Sequence, residues 1–503
     1  MGFKTVERTG KQDIMSAQRY LSSTNSSPPG PVIVPWTVYL VSAVLLVGFI
    51  ATALAKLSDG PALLAGLTVG IVYGLWILKP THALAIYLAV LLLTPAAMLG
   101  ILLPGLGILT LHKALMLPMI LLGILMMLKR GRMRIPLVLP VSLFYSIALL
   151  TVLLNLDTMR QAEISGAVRF LIQFAEYFLL FYYVVNFIRR EQVSGIITVL
   201  LVCVGLLALS GLAEAVLNIR IMDYFSRLPI PIKEETLATL QIYSMRSGFT
   251  RVHSVFFNAI EYGVVLVLFW PLAFIMSRQA RNHIVKLSLI AVSVLCIISS
   301  LLTLSRGVLV CLLIEVLFVM LLTYRGRKRI WLVILGCLAL PLVVYAMSQA
   351  LTIYFPEGVQ TDETVQYRLS VLAFAPILTL RTHPFLGFGY GVIPQGLQRN
   401  FENFYVLAMT ASGLVGLITF LILLGSVTLY LMRASYKMHD ATMKGIVLSA
   451  LVASVGFAAM NLFFDAFSFM ITTKLFFVIV ALGIVASRPA LHLRESDATR
   501  EHR

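Results

Sequence analysis

The sequence predicts an all-α, polytopic integral membrane protein. Of its 503 residues, 59% are hydrophobic and only 12% are charged, and its mean hydropathy is +0.94. A soluble globular surface needs far more charge than this. A membrane-spanning helix needs about 20 mostly apolar residues, and about fourteen stretches approach that length, which predicts about 12–14 spans. They are 35–55, 61–78, 82–103, 114–128, 136–154, 167–187, 194–217, 258–276, 284–303, 307–323, 330–349, 403–431, 444–462 and 467–487.

The basic residues predict the orientation, because Lys and Arg favour cytoplasmic loops. With the N-terminus in the cytoplasm, alternating spans place the most basic loops inside and two longer segments, 218–257 and 350–402, outside. Much of the net charge of +17 then reflects topology and attraction to anionic lipid rather than a nucleic-acid site. The basic inside loops are 129–134, 189–190, 278–286, 324–329 and 433–444.

These features divide the chain into five regions. The first is a flexible cytoplasmic tail, and the second is an N-terminal membrane bundle. A central region with a large external loop at 350–402 follows, and then the last helices and a cytoplasmic tail. The bounds are 1–34, 35–245, 246–430, 431–487 and 488–503. The four cysteines fall in apolar runs without a metal or disulfide pattern, so we interpret them as buried hydrophobic residues.

The stretch LTLSRGVLV (302–310) carries one arginine between two apolar runs. The topology places Arg306 at the outer surface, at the start of a helix that Ser305 could cap. A helix start offers free N–H groups to an anion, the guanidinium fork suits phosphate, and Gly307 would let the anion approach the backbone. The alternative is an interfacial arginine that only fixes the turn.

Three more external stretches carry candidate residues. RVHSVFFNAIEYG (251–263) gathers cations before a span, and 367–392 predicts a helix followed by a turn rich in glycine and aromatic residues. FENFYV (401–406) opens a span with Glu402, which could act as a base at an apolar rim. The alternatives are a solvated loop, a loop that packs on itself, and an acid favoured by a helix dipole.

Several ionisable residues are predicted inside the bilayer, where such groups are functional candidates. They could equally form structural pairs or a proton path. The sequence shows no metal-binding or P-loop motif, so we expect no metal and no cofactor, and arginines would have to hold any phosphate. The ionisable residues are Glu176, Glu214, Glu315, Asp465 and Lys474.

Four stretches, in order over residues 246–430, give the chain its resemblance to the superfamily of O-antigen ligases and Wzy-type polymerases. They are RVHSVFFNAIEYG, LTLSRG, YRLSVLAFAPILTLRTHPFLGFGYG and NFYVLAMTASGLVGLITFLILL. The resemblance implies a C-type glycosyltransferase fold with its site on the external face of a bacterial cytoplasmic membrane. The implied partners are an undecaprenyl-pyrophosphate-linked oligosaccharide, an acceptor glycan, the lipid bilayer and other polysaccharide assembly proteins, without nucleic acid.

The resemblance also implies roles for individual residues. Arg306 and Arg251 are expected to stabilise the leaving pyrophosphate, and Glu402 to deprotonate the acceptor hydroxyl in a metal-independent, inverting transfer. Arg368 is expected to bind glycan or phosphate, and the loop 350–402 to act as a lid. The full set expected at the substrate is Ser305, Arg246, His253, Asn258, Glu261, Arg368, His383, Tyr390 and Asn403.

Three functions stay open at this stage. Ligases of the superfamily usually carry a histidine where this chain has Glu402, which favours a polymerase. The family's Asn-Pro-Asn is Asn258-Ala259-Ile260 here, and its first glycine is Ser254. A ligase that transfers glycan to a lipid core or protein is the first alternative. A flippase or other transporter of lipid-linked oligosaccharide is the second, for which Glu176 and Glu315 would carry protons.

Overall fold

The structure, a computed structural model, describes most of the chain beyond residue 79. The described ranges are 80–95, 100–103, 107–130, 133–226, 245–246, 249–323, 363–392 and 401–489, with the single residues 326, 331, 334 and 394. The predicted tail 1–34, the spans 35–55 and 61–78, and almost all of 330–349 lie outside the described residues.

Helices make up nearly all the regular structure of the described residues, which confirms the all-α prediction. In order they are α1 (Pro80–Leu93), α2 (Leu111–Arg130), α3 (Val138–Leu154), α4 (Gln161–Phe187), α5 (Arg190–Leu217), α6 (Ile221–Ser226), α7 (Ala259–Ser277), α8 (His283–Leu301), α9 (Arg306–Thr323), α10 (Glu363–Thr382), α11 (Phe404–Lys437), α12 (Ala441–Phe463) and α13 (Met470–Ala486). Seven of them are long and apolar enough to cross a membrane, which supports a polytopic membrane protein. Two short antiparallel hairpins complete the set, β1 (Gly100–Leu103) with β2 (Gly107–Thr110) and β3 (Met245–Arg246) with β4 (Phe249–Thr250).

One predicted span ends early. The stretch 82–103 was expected to be a single helix, but α1 stops at Leu93 and residues 100–103 form β1. Pro95 explains the end, because a proline disfavours helical backbone at the residue before it. The Thr94 hydroxyl donates to the Val90 carbonyl at 2.6 Å and closes the last turn.

Contacts between helix termini define two ends of the helix bundle. We call the end at which α2, α4, α7, α9, α11 and α13 begin the motif end. It is held together by contacts across the starts and ends of helices. The contacts include His112 with Met470, Glu261 with Ile471, Gly307 with Phe464, and Asn403 with Leu462.

The opposite end, which we call the basic end, gathers cationic side chains. Arg190 pairs with Asp440 at 3.2 Å, and Arg488 donates to the Val185 carbonyl at 2.7 Å. The exposed side chains of Arg281 and Lys286 lie on the loop and first turn that open α8. The predicted orientation, in which the basic end faces the cytoplasm, rests on these same Lys and Arg residues and stays a prediction.

Helix α11 is broken near its start, at Gly413. The backbone there has φ 64° and ψ −164°, which no helix adopts. The break lies nine residues, or about 14 Å of helix, from the first residue of α11. It frees the backbone carbonyls before Gly413 and the N–H groups after it, and inside a membrane protein such groups need partners.

The loop after α10 supplies these partners. The N–H groups of Phe388 and Gly389 donate to the carbonyls of Thr410 and Ala411, at 2.9 and 2.8 Å. In return, the Leu414 N–H donates to the Pro384 carbonyl at 2.8 Å, and the Val415 N–H donates to the Phe385 carbonyl at 3.3 Å. The glycine-rich turn of the third motif therefore makes the backbone hydrogen bonds that α11, the helix of the fourth motif, loses at its break.

Glycine is required on both sides of this junction. A Cβ on Gly413 would overlap the backbone carbonyl of Phe385, and a Cβ on Gly387 would lie 2.5 Å from the Thr410 oxygen. Both glycines also have positive φ, 64° and 60°, where a side chain is strained. The two motifs thus form one structural unit.

We predict that Gly413→Ala destabilises the protein by several kcal/mol, because it combines a left-handed backbone, costing about 1–2 kcal/mol, with a backbone clash. The measurement is the melting temperature of the purified protein in detergent. Gly425→Ala is the matched control, since Gly425 lies on the same helix and a Cβ there would meet no atom within 4 Å. That control should be neutral or slightly stabilising, and equal losses in the two variants would contradict the role of the junction.

Candidate functional site

The turn before α9 places Arg306 at a helix start. Helix α8 ends at Leu301, Leu304 takes a left-handed backbone with φ 51°, and α9 begins at Arg306 itself. Ser305 is buried, and its carbonyl accepts the Leu309 N–H at 3.2 Å. Arg306 is half-buried. The guanidinium therefore belongs to the first turn of a helix, where unpaired N–H groups and the positive dipole end favour an anion.

Gly307 has a different role from the one expected. A Cβ there would overlap the ring of Phe464, which is itself buried. The small residue lets the segment between α12 and α13 pack on the first turn of α9. The aromatic ring, rather than an anion, occupies this side of the turn.

Arg251 lies next to the Arg306 turn. Its Nε donates to the Thr303 carbonyl at 3.0 Å, and the Val252 N–H donates to the Leu302 carbonyl at 3.5 Å. The Arg251 side chain is 8% exposed. Arg251 and Arg306, which the sequence analysis proposed to bind pyrophosphate together, therefore lie on adjacent segments of the structure.

A buried carboxylate organises the loop that carries Arg251. Glu214, near the end of α5, accepts the N–H groups of His253 and Ser254 with the same oxygen, at 3.1 and 2.6 Å. Ser254, with φ 50°, also places its hydroxyl 2.5 Å from that of Ser210. Glu214 was expected inside the bilayer as a candidate proton carrier, but its contacts are those of a loop anchor at the motif end.

His253 is buried beneath this loop. Its Nδ1 lies 3.0 Å from the Phe256 carbonyl. Burial lowers the pKa of His253 below 6.5, and this effect outweighs the hydrogen bond to Phe256. Burial therefore favours the neutral form of the ring. Its predicted contact with substrate stays a prediction.

The next two motif residues cap helices. The Asn258 side chain accepts the Ile260 N–H at 2.8 Å and caps α7. The Glu261 carboxylate accepts the Ile471 N–H at 3.3 Å, in the first turn of α13. A carboxylate at a helix start is favoured by the dipole. Both contacts fix helices around the Arg306 turn, and binding of substrate by either residue remains untested.

Glu402 and Asn403 lie at the start of α11. The Asn403 side chain caps the helix by accepting the Val406 N–H at 3.1 Å and donates to the Leu462 carbonyl at 2.9 Å. Glu402 is half-buried and has a left-handed backbone with φ 35°. Glu402 therefore lies at the motif end, as Arg306 does, but it precedes α11, whereas Arg306 begins α9.

The third motif contributes less to this region than the sequence suggested. His383 is exposed, and its ring centroid lies 4.5 Å from that of Phe388. Tyr390 is fully buried and packs against Phe170 and Phe174, with ring centroids 5.8 and 5.2 Å apart. A sugar could stack on His383 in this structure, whereas the ring of Tyr390 is enclosed.

Two predicted arginines have described backbones only. Arg246 belongs to β3 and Arg368 belongs to α10. Their side chains lie outside the described part of the structure, so their roles in binding glycan or phosphate stay predictions.

Asp465, predicted to lie inside the bilayer, is on the segment between α12 and α13, next to the Phe464 ring that covers Gly307. Its depth in a membrane stays a prediction. Burial raises the pKa of the Asp465 carboxyl from 3.8 to about 6, against hydrogen bonds from Ser468 that lower it. The gap between the predicted spans 444–462 and 467–487 was the signal that could have placed it at the motif end.

The polar groups of the motif end suit an anion better than a metal. Among the described residues, no group of three or more His, Cys, Asp or Glu side chains could hold a metal ion. The arginines and the start of α9 offer N–H donors to a negatively charged ligand.

Comparison with known proteins gives one family. The family model described as O-antigen ligase matches residues 291–421, about a quarter of the chain. The search of curated proteins found no match to the chain. The matched region runs from α8 through the Arg306 turn and α10 to the broken part of α11. It supports a polysaccharide-related ligase or polymerase function of the glycosyltransferase type. The match over residues 291–421 confirms that this part of the chain resembles the superfamily of O-antigen ligases and Wzy-type polymerases.

Proposed function

We propose that the protein polymerises a cell-surface polysaccharide. It would transfer a glycan from undecaprenyl pyrophosphate to a hydroxyl of an acceptor glycan, at the motif end and on the external face of the membrane. The observation that carries this proposal is the proximity of two arginine-bearing segments: Arg306 begins α9, and the Nε of Arg251, on the loop before α7, lies 3.0 Å from the Thr303 carbonyl of the turn that precedes Arg306.

The chemistry requires cations where the leaving group develops charge. When the acceptor oxygen attacks the anomeric carbon, the bond to the pyrophosphate oxygen breaks and the lipid pyrophosphate leaves as an anion. Preorganised donors are the most effective stabilisers of such charge. Arg306, the N–H groups at the start of α9 and Arg251 would supply them, so the reaction would need no metal.

The acceptor hydroxyl must lose its proton during the attack. Glu402 is the candidate base, because it is a half-buried carboxylate at the start of α11, on the same end of the bundle as Arg306. Attack in a single step, from the face opposite the leaving pyrophosphate, would invert the anomeric centre. Arg368 on α10 and His383 directly after this helix would contact the glycan chain.

The identity of residue 402 favours a polymerase over a ligase. The resemblance predicts a histidine at this position for the ligases, and this chain has a carboxylate instead. A ligase acting on a lipid core or protein is the second candidate, since the matched family carries that description. The two differ only in the acceptor.

The structure gives less support to a transporter. Glu176, one of the two predicted proton carriers, is paired with Lys474 at 2.7 Å and with Lys113 at 3.8 Å. Glu315 is fully buried between α9 and α12, against Gly456. The family match at residues 291–421 favours glycan transfer over transport.

The decisive experiment is turnover by the purified protein in nanodiscs, supplied with undecaprenyl-pyrophosphate-linked repeat units without metal or nucleotide. The expected product is a ladder of multiples on a gel. Release of lipid pyrophosphate only after addition of a different acceptor would identify a ligase. The absence of release under either condition would contradict glycan transfer.

We predict that Arg306→Ala lowers the turnover rate by about 10²–10³-fold, because loss of one donor to a developing oxyanion has an effect of that size. Arg306→Lys should recover part of the rate, since it keeps the charge but loses the bidentate fork. The measurement is the rate of ladder formation at equal protein levels. Arg281→Ala, an exposed arginine at the basic end, is the control and should leave the rate unchanged.

We predict that Glu402→Gln lowers the turnover number on the order of 10²-fold or more, the usual contribution of a general base. Donor binding should change little, because the substitution is isosteric and the arginines that would hold the pyrophosphate are unchanged. Asp157→Asn removes an exposed carboxylate after α3 and serves as the control. Equal rates for Glu402→Gln and the control would exclude Glu402 as the base.

A further inference from the structure

A cluster of ionisable side chains, separate from Arg251 and Arg306, lies outside the four motifs. It consists of His112 and Lys113 on α2, Glu176 on α4 and Lys474 on α13. The Lys474 Nζ lies 2.7 Å from one oxygen of the Glu176 carboxylate, and the Lys113 Nζ lies 3.8 Å from the other. We call these four residues the two-lysine cluster. A single carboxylate in it serves two ammonium groups.

The charges of this cluster do not balance among the described residues. The Lys474 side chain is 0% exposed and lies within an apolar helix, where an ammonium group needs an anionic partner. Glu176 supplies one negative charge, but Lys113 adds a second positive charge within reach of the same carboxylate. A structural ion pair between α4 and α13 requires only Glu176 and Lys474.

His112 adds a hydrogen-bonding group to the same place. It is buried, and its Nε2 lies 3.1 Å from the Thr110 hydroxyl and 3.4 Å from the Met470 sulfur. When the Thr110 hydroxyl donates to Nε2, the proton resides on Nδ1. Nδ1 is buried and has no hydrogen-bond partner among the described residues. The cluster then contains more donors than acceptors.

The cluster is partly exposed. The Lys113 side chain is 29% exposed and that of Glu176 is 13% exposed, whereas Lys474 is enclosed. The contact of His112 with Met470 places the cluster beside the start of α13, at the motif end. Lys113 and Glu176 are therefore the members of the cluster that a small ligand could contact without displacing Lys474.

We infer that the two-lysine cluster is a binding site, at the motif end, for a compact anion, a phosphate or a carboxylate. The anion would contact Lys113 and the His112 Nδ1–H and compensate the charge that Glu176 leaves unbalanced. Its source is an acidic substituent of a soluble glycan or the phosphate of a lipid headgroup. This inference goes beyond the proposed glycan transfer and does not depend on it.

The test is a binding measurement on the full-length protein in neutral detergent. Inorganic phosphate and glucuronate are titrated against chloride at constant ionic strength, and the melting temperature and calorimetric heat are recorded. The measurement is repeated in an Arg306→Ala background, which weakens phosphate binding at the proposed catalytic site, and the Lys113 variants then assign any remaining binding to the two-lysine cluster, so failure of either proposal can be recognised separately. Saturable binding that persists in this background is the expected result.

Two partly exposed residues give opposite predictions. Lys113→Gln should weaken anion binding about tenfold or more, because it removes a charge-assisted hydrogen bond worth about 1.5–3 kcal/mol. Glu176→Gln should strengthen it, because the carboxylate competes with the ligand for the ammonium groups. Lys286→Gln, an exposed lysine at the basic end, is the control and should bind as the parent does.

The results that would overturn the inference are equally specific. A lack of saturable binding in the Arg306→Ala background, or equal affinities for Lys113→Gln and its parent, would show that the cluster is only a structural ion pair. Nanodiscs then identify the source of the anion. Loss of phosphate binding in anionic but not in neutral lipid would indicate a lipid headgroup, and retention in both would indicate a soluble group; each outcome supports the site.

Discussion

The hydrogen bonds between the broken part of α11 and the loop 384–389 are the constraint on which the rest of the structure depends. Apolar surroundings leave no water for the backbone groups that Gly413 frees, so another segment must supply the partners. The loop does so with both donors and carbonyls, and it is tied to α3 as well, where the Asn155 side chain donates to the Gly387 carbonyl at 3.5 Å. The position of the end of α10 relative to α11 follows from this junction.

The segment between α12 and α13 has a comparable role at the motif end. Phe464 covers Gly307, and Phe467 packs against Phe404 with ring centroids 4.6 Å apart. The first turn of α13 also donates the Ile471 N–H to the Glu261 carboxylate and contacts His112 through Met470. One short segment therefore joins the arginine turn to the two-lysine cluster. Helices from both halves of the chain depend on it for their relative positions.

The sequence predicted the helices far better than their interruptions. Ten of the predicted apolar runs coincide with helices among the described residues, because length and hydropathy are what a bilayer selects. The break at Gly413 could not be predicted, since the apolar pattern of α11 continues through it and its partners are about 25 residues away. The arginine turn was found because a cation between apolar runs is conspicuous. The roles of Glu214 and Asp465 could not be predicted, because in the sequence an acidic residue in an apolar run looks the same whether it anchors a loop or carries a proton.

The contacts of the motif residues argue for a site whose cations are fixed before substrate arrives. Arg251 is held by the Thr303 carbonyl, and its loop is held by Glu214 through two backbone N–H groups. Asn258 and Asn403 cap the starts of α7 and α11 at the motif end. Electrostatic stabilisation is most effective when the donors need not reorganise during the reaction. Much of what looks like a binding motif in the sequence is thus the support that keeps Arg251 and Arg306 in place, and the chemistry itself would rest on few side chains.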